Sequence, residues 1–269
     1  MKRLRHLFIG VFLLLFLIAA CSSVPISQRR QLNLIPSSSI MSMSLKQYDQ
    51  FLKDNELSED KEKTRMVKRV GRRISEAVEK YFAERGNSER MTNYQWEFNL
   101  VESEEVNAWA MPGGKVVVYS GLLPVAETEA GLAVVMGHEI AHAVARHGNE
   151  RMSQALLAQF GAVALSQAIR EKPAVAQQLW MMAYGVGSQL GVMLPYSRLH
   201  EKEADHLGLI FMAMAGYDPR VAVDFWQRMA DKKEGKSPPE FLSTHPPDQK
   251  RIAAIKEMMP EALRYYEKE

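Results

Sequence analysis

The sequence predicts an α+β fold, predominantly helical, with a small sheet and one helix carrying a His-Glu-x-x-His motif. Three observations predict it. Long stretches place apolar residues at helical spacing, just two short segments alternate or are β-branched, and HEIAH lies inside a run of helix-forming residues. The 269 residues are 46% hydrophobic and 25% charged, ordinary for a chain with a substantial core and one principal domain.

The chain opens MKRLRHLFIGVFLLLFLIAA, three cations ahead of an unbroken apolar run from Leu7 to Ala20. That run is shorter than the roughly twenty residues a bilayer-spanning helix needs, so residues 1–20 read as a secretory signal peptide rather than an anchor. Setting aside Lys2, Arg3 and Arg5 turns the formal charge of +2 into −1. With no basic stripe interleaved with aromatics, no nucleic-acid partner is expected. Cys21 is the single cysteine, so it cannot pair within the chain despite the oxidising address the leader implies.

Residues 21–45, with scattered serines, Pro25 and Pro36, read as an extended spacer, and the domain is expected over 46–269. From Leu45 to about Arg85, Met66, Val67, Val70, Ile74 and Val78 recur at helical spacing among charges, an amphipathic helix. Tyr94–Val101 and Lys115–Tyr119 read as strands, and the Pro112, Gly113, Gly114 run between them as a tight turn. Residues 127–147 read as helix. Met152–Leu194 is apolar with helical spacing, interrupted by Gln154, Gln159, Arg170, Glu171 and Lys172 before spanning length, which predicts buried or lid-like helices. Two further helices are expected, at Pro219–Lys232 and Asp248–Lys256, with a proline-rich turn Thr244–Pro247 between them.

On a helix, His138 and His142 are four apart and project from one face, so both imidazoles can reach one metal while Glu139 sits beside it, free to accept a proton. Two ligands do not complete a site. The best source of a third is Glu201-Lys202-Glu203-Ala204-Asp205, where Glu201 and Asp205 share a helical face: one can bind metal while the other takes the free ring N–H of a ligand histidine. The residues alone leave open which does which. His147, His200 and His206 fall off the ligand spacing and read as surface residues or neighbours of the site.

With these blocks in hand, the chain resembles the gluzincin metallopeptidases that include the heat-shock protease HtpX, the CAAX prenyl proteases and soluble periplasmic lipoproteins. The resemblance implies a zincin-type metalloprotease domain with one zinc per chain, His138, His142 and Glu201 as ligands, Glu139 as base on the zinc-bound water, and Asp205 behind a ligand histidine. It further implies that NAWAMPGGKVVVYSGLL holds an edge strand, so that Asn107, Ala108, Trp109, Ala110 and Met111 bind substrate backbone. His245, in STHP, is implied to approach the metal, assisting catalysis or blocking the water position. Leu17–Cys21 resembles a bacterial lipoprotein box, with Cys21 lipidated and the protein held at an envelope membrane, by expectation the outer one, facing the periplasm. Polypeptide substrates, unfolded or misfolded envelope proteins, are the implied partners. A chaperone-like outer-membrane assembly factor with a latent protease site is the alternative.

Overall fold

The structure, a computed structural model, describes residues 21–233, 241–246 and 249–266. The leader expected over 1–20, His6 included, lies outside the described residues, as does Pro247. The chain divides into two compact units, one of residues up to 40 with 146–199, the other of 41–145 with 200 onward.

The second unit holds the sheet. Strands β3 (Glu97–Val101), β4 (Ala108–Met111) and β5 (Lys115–Tyr119) form it in the order β3-β5-β4, with β3 parallel and β4 antiparallel to β5. The β-branched run Val116–Val118 makes β5 the fully buried centre. The strand expected over Tyr94–Val101 begins later, at Glu97, and the expected turn carries β4 before it. Gly113 and Gly114 close the β4–β5 hairpin with φ of 97° and 86°, conformations open to glycine.

The single amphipathic helix expected from Leu45 to Arg85 is two: α1 (Ser37–Asp54) and α2 (Lys61–Ala83). The intervening residues are drawn out to serve the sheet. Leu57 bridges to Val101, Ser58 N–H donates to the Leu100 carbonyl at 2.9 Å, and Glu102 N–H donates to the Glu56 carbonyl at 2.9 Å. Asp60 then starts α2, its Oδ1 accepting from Glu62 and Lys63 N–H at 3.0 Å each. Val70, Ile74 and Val78 of α2 are wholly buried against the sheet and α3 (Glu129–Val144). Thr128 caps α3 through Gly131 N–H, and every residue of α3 from Gly131 to Val144 is buried. Such a helix, apolar from Gly131 to Val144 but for His138, Glu139 and His142, is a core helix by composition.

In the first unit, β1 (Cys21–Ser23) and β2 (Arg30–Leu32) pair antiparallel. This corrects the reading of residues 21–45 as an extended spacer: Val24 and Gln31 are fully buried, and Pro36 accepts from Ile40 N–H at the start of α1. Serine-rich composition concealed the structure because its polar groups are satisfied locally and by α4 (His147–Ala168). Leu34 N–H donates to Ser153 Oγ and Asn149 Nδ2 to the Ile35 carbonyl, both at 2.9 Å. Arg29 forms a two-point ion pair with buried Glu150 at 2.7 and 2.8 Å. Helix α5 (Ala174–Ser188) runs on through a π-helical turn, Gln189–Met193, into α6 (Leu194–Met214). Of the two alternatives expected over Met152–Leu194, buried or lid-like helices, the buried one fails: no residue of α5 is buried, and α4 buries only residues of its first two turns. Among the described residues no helix is long and apolar enough to cross a membrane.

The tail holds α7 (Val221–Lys233), a single turn at Phe241–Thr244, and α8 (Gln249–Tyr266), which is longer than sequence predicts and runs through Pro260.

Candidate metal centre

Helices α3 and α6 meet backbone to backbone. A Cβ added at Gly208 would stand 3.0 Å from His138 N, and one added at Gly137 would stand 3.0 Å from the Gly208 carbonyl oxygen. This close crossing, tighter than a Cβ ordinarily meets, sets HEIAH of α3 beside EKEAD of α6.

Around the crossing, His138, His142, Glu201 and His245 each turn one donor atom inward, all within 4.8 Å of one another. His138 Nε2 lies 3.1 Å from His142 Nε2 and 3.1 Å from His245 Nδ1. Glu201 Oε2 lies 3.3 Å from His138 Nε2 and 2.9 Å from His245 Nδ1, and Glu201 Oε1 lies 3.2 Å from His142 Nε2. Four ligands about 2.0–2.1 Å from a tetrahedral ion stand about 3.3 Å apart, so the set fits zinc. Imidazole nitrogens facing one another across 3.1 Å also present converging lone pairs that a cation would satisfy.

The electrostatics point the same way. Burial works to raise the Glu201 carboxyl, but His142, His138 and His245 outweigh it and hold the group far below the ordinary range. Burial disfavours a proton on His138, yet hydrogen bonds to Asp205 and Glu201 prevail and push it up to about 9. The site thus calls for positive charge, which a metal ion supplies.

Asp205 accepts from His138 Nδ1 at 3.0 Å, fixing the ring with Nε2 toward the centre. Its own charge is held by Arg251, from α8, whose Nε and Nη2 reach Oδ2 and Oδ1 at 2.9 and 2.7 Å. Although burial opposes it, that guanidinium keeps the Asp205 carboxyl low. Arg251 also places Nη1 3.3 Å from Glu201 Oε2 and stacks 3.4 Å over the Trp226 ring. Trp226 stacks on Phe241, and Phe241 on His245 with centroids 4.5 Å apart. A column of rings therefore links Arg251 to His245. Arg251, Trp226 and Phe241 escaped the sequence reading; the available signal was helical phase, since Arg251 shares the buried face of α8 with Ile255, Met258 and Ala262.

Glu139 is buried one step round α3 from the donors, and burial pushes its carboxyl up. Among the described residues its Oε1 accepts no hydrogen bond, with His245 Nε2 3.4 Å away. A buried carboxylate oxygen left without a donor is what a proton acceptor awaiting a water would present.

The expected substrate segment is the outer strand of the sheet. Asn107 precedes β4, and Ala108, Trp109, Ala110 and Met111 form it, packed beside α3. The Trp109 indole does not stand free: it meets Phe51 edge-on at 4.9 Å and Tyr48 at 6.2 Å. Of the two alternatives expected for His147 and His200, surface or beside the site, the surface one fails, with exposures of 0% and 1%, while His206 pairs with Glu261 at 2.9 Å.

With this geometry established, comparison with known proteins decides the family. The model of peptidase family M48 matches residues 68–259, most of the chain and every residue of the centre. The chain belongs to peptidase family M48. These are zincin-type metallopeptidases, and the matched span agrees with the four-donor set. Among its M48 relatives, the mitochondrial metalloendopeptidase OMA1 of Schizosaccharomyces pombe is 38% identical over 64% of this chain and 49% of its own length. The human metalloendopeptidase OMA1 is 33% identical over 66% of this chain and 35% of its own length. The β-barrel assembly-enhancing protease of Escherichia coli K12 is 32% identical over 58% of this chain and 33% of its own length. The chain thus spans half or less of the length of these relatives.

Proposed function

We propose that this M48 protein is a zinc-dependent metalloendopeptidase of the bacterial cell envelope that hydrolyses peptide bonds of misfolded envelope proteins. The observation that carries the reaction class is the buried His138, His142, Glu201, His245 donor set with the unpartnered Glu139 oxygen beside it.

Zinc, when bound, lowers the pKa of a coordinated water to about 7 and polarises a carbonyl oxygen. His138, His142 and Glu201 would hold it, with Asp205 fixing the His138 tautomer. Glu139 Oε1 takes a proton from water and returns it to the departing amine; its raised affinity for protons suits both transfers. The outer edge of β4, beside α3, suits an extended substrate added as a further strand, bound by main-chain hydrogen bonds with little side-chain selectivity. Asn107–Met111 are the residues for that role.

Lipid on Cys21 would hold the enzyme at the envelope membrane, the outer one facing the periplasm. The assembly-enhancing protease is named for work on β-barrels, which supports an envelope substrate, whereas the OMA1 relatives are mitochondrial.

A second reading is favoured by His245. With its Nδ1 among the donors, four protein ligands leave no open position for water. His245 then acts as a gate, and the protein is latent until the Phe241–His245 turn withdraws, compatible with a chaperone-like assembly role in the resting state.

The test is zinc content and casein cleavage for the parent chain and two variants. Glu139→Gln is expected to keep one zinc per chain and lose cleavage; turnover by that variant removes Glu139 as base. His245→Ala is expected to keep zinc through its three remaining ligands and to cleave faster than the parent. Slower cleavage would make His245 an assistant in catalysis and end the gating reading.

A further inference from the structure

The first unit carries a feature that peptide hydrolysis leaves unexplained. Between Arg151 and Arg198 the sequence has three charged residues, Arg170, Glu171 and Lys172, all in the connection between α4 and α5. From Met152 onward the two helices carry no charge, only glutamines and serines among apolar residues, and many of those apolar side chains stand in the open. Phe160 is 67% exposed, Val163 56%, Val175 70%, Leu179 61% and Trp180 58%, and Leu190, in the π-helical turn that follows α5, 61%. The hairpin is nonetheless built: Tyr184 Oη donates to the Ala158 carbonyl at 2.9 Å, tying α5 to α4. Large apolar side chains exposed together on neighbouring helices mark a surface that meets a partner or lipid.

The occupant follows from where the chain comes from. The apolar run Leu7–Ala20 ends at Cys21, the first residue of β1. Its partner β2 and the following residues are fastened to the root of this hairpin by the Arg29–Glu150 ion pair and the Leu34–Ser153 and Ile35–Asn149 hydrogen bonds. On the lipoprotein reading, the tether at Cys21 therefore belongs to the same compact unit as the exposed helices and lies at their base. A protein partner would need one apolar stripe, whereas α5 has no buried residue at all, as suits a medium that surrounds it. Its Trp180 and Tyr184 are the amphipathic aromatics favoured where acyl chains meet headgroups. The fifteen residues of α5 reach about 22 Å, short of the roughly 30 Å hydrocarbon core, and no described helix is long and apolar enough to cross, so the hairpin enters one face of the bilayer.

We infer that the α4–α5 hairpin is a second, lipid-immersed membrane contact, set beside the tether at Cys21 so that the protease is held against the bilayer surface rather than dangling from it. This rests on the envelope-membrane reading above for its bilayer, and the test separates the two.

The full chain is purified in detergent and reconstituted into phosphatidylethanolamine–phosphatidylglycerol vesicles with or without bromine on the acyl chains. Flotation reports attachment, and tryptophan emission, compared with Trp180→Phe, isolates the signal of Trp180. The expected result is flotation with loss of most Trp180 emission in brominated vesicles. A Leu179→Glu, Leu190→Glu chain should still float, keep its zinc and its casein cleavage in detergent, and lose the quenching. Flotation with Trp180 emission untouched by bromine overturns the hairpin contact and leaves the tether standing, whether Trp180 then faces water or a second copy of the chain. Failure to float overturns both.

Discussion

Arg251 shows how one side chain holds several others in place. It gives Asp205 a two-point ion pair, approaches Glu201, and lies on the Trp226 face, so the carboxylate behind His138 and the ring column ending at His245 share one cation. Both partners of the Asp205 pair are buried, and removing one strands the charge of the other. Arg251→Ala is expected to cost about 3–5 kcal/mol of stability, read as a lower denaturant midpoint. It should also weaken zinc binding about 10–100-fold, because Asp205 no longer orients His138. Arg251→Lys keeps the charge but not the two-point geometry, so it should recover stability more than zinc affinity. Equal recovery of both would reduce Arg251 to a structural ion pair.

Among the elements, α3 and α6 act as one device. Their glycine crossing is so tight that a Cβ at position 208 needs the His138 backbone to give by a few tenths of an ångström, and a bulkier side chain more, drawing Glu201 and Asp205 away from His138. Gly208→Val is therefore expected to lower zinc occupancy far more than it lowers helix content; circular dichroism with metal analysis distinguishes this from simple unfolding. The spacing of HEIAH and EKEAD made both helices and their ligand faces legible, because a period of 3.6 fixes which residues share a face. What was not legible required partners distant in sequence. Arg251 resembles Lys250 beside it until its phase with Ile255 is considered. Residues 21–45 look like a linker because Arg29, Leu34 and Ile35 sit among serines and prolines, and their pairing depends on Glu150, Ser153 and Asn149 more than a hundred residues on. The α4–α5 hairpin misled in the other direction: apolar composition announces burial but does not say in what.

For the molecule as a whole, the metal and the proton compete for one place. Without metal, His138 holds a proton up to about 9, against 6.5 for a free imidazole. A group whose folded value is raised stabilises the fold fully below its unfolded value and loses that contribution as pH climbs through the folded one. The metal-free chain should accordingly lose stability between about pH 6.5 and 9 as the charges of Glu201 and Asp205 lose their counterpart. Those two carboxyls are held low, so their contribution is present above the ordinary carboxylate range and disappears only on strong acidification. Zinc replaces the His138 proton with a charge that does not titrate away, and binding it to the folded state alone stabilises by mass action. The gap in melting temperature between zinc-loaded and chelator-treated protein should therefore widen from pH 6.5 to 9. His138→Ala, which removes both the proton site and a ligand, should flatten the dependence in both preparations. A gap that is constant across this range would mean that the buried carboxylates are balanced by Arg251 alone and that the centre is built to persist without its metal.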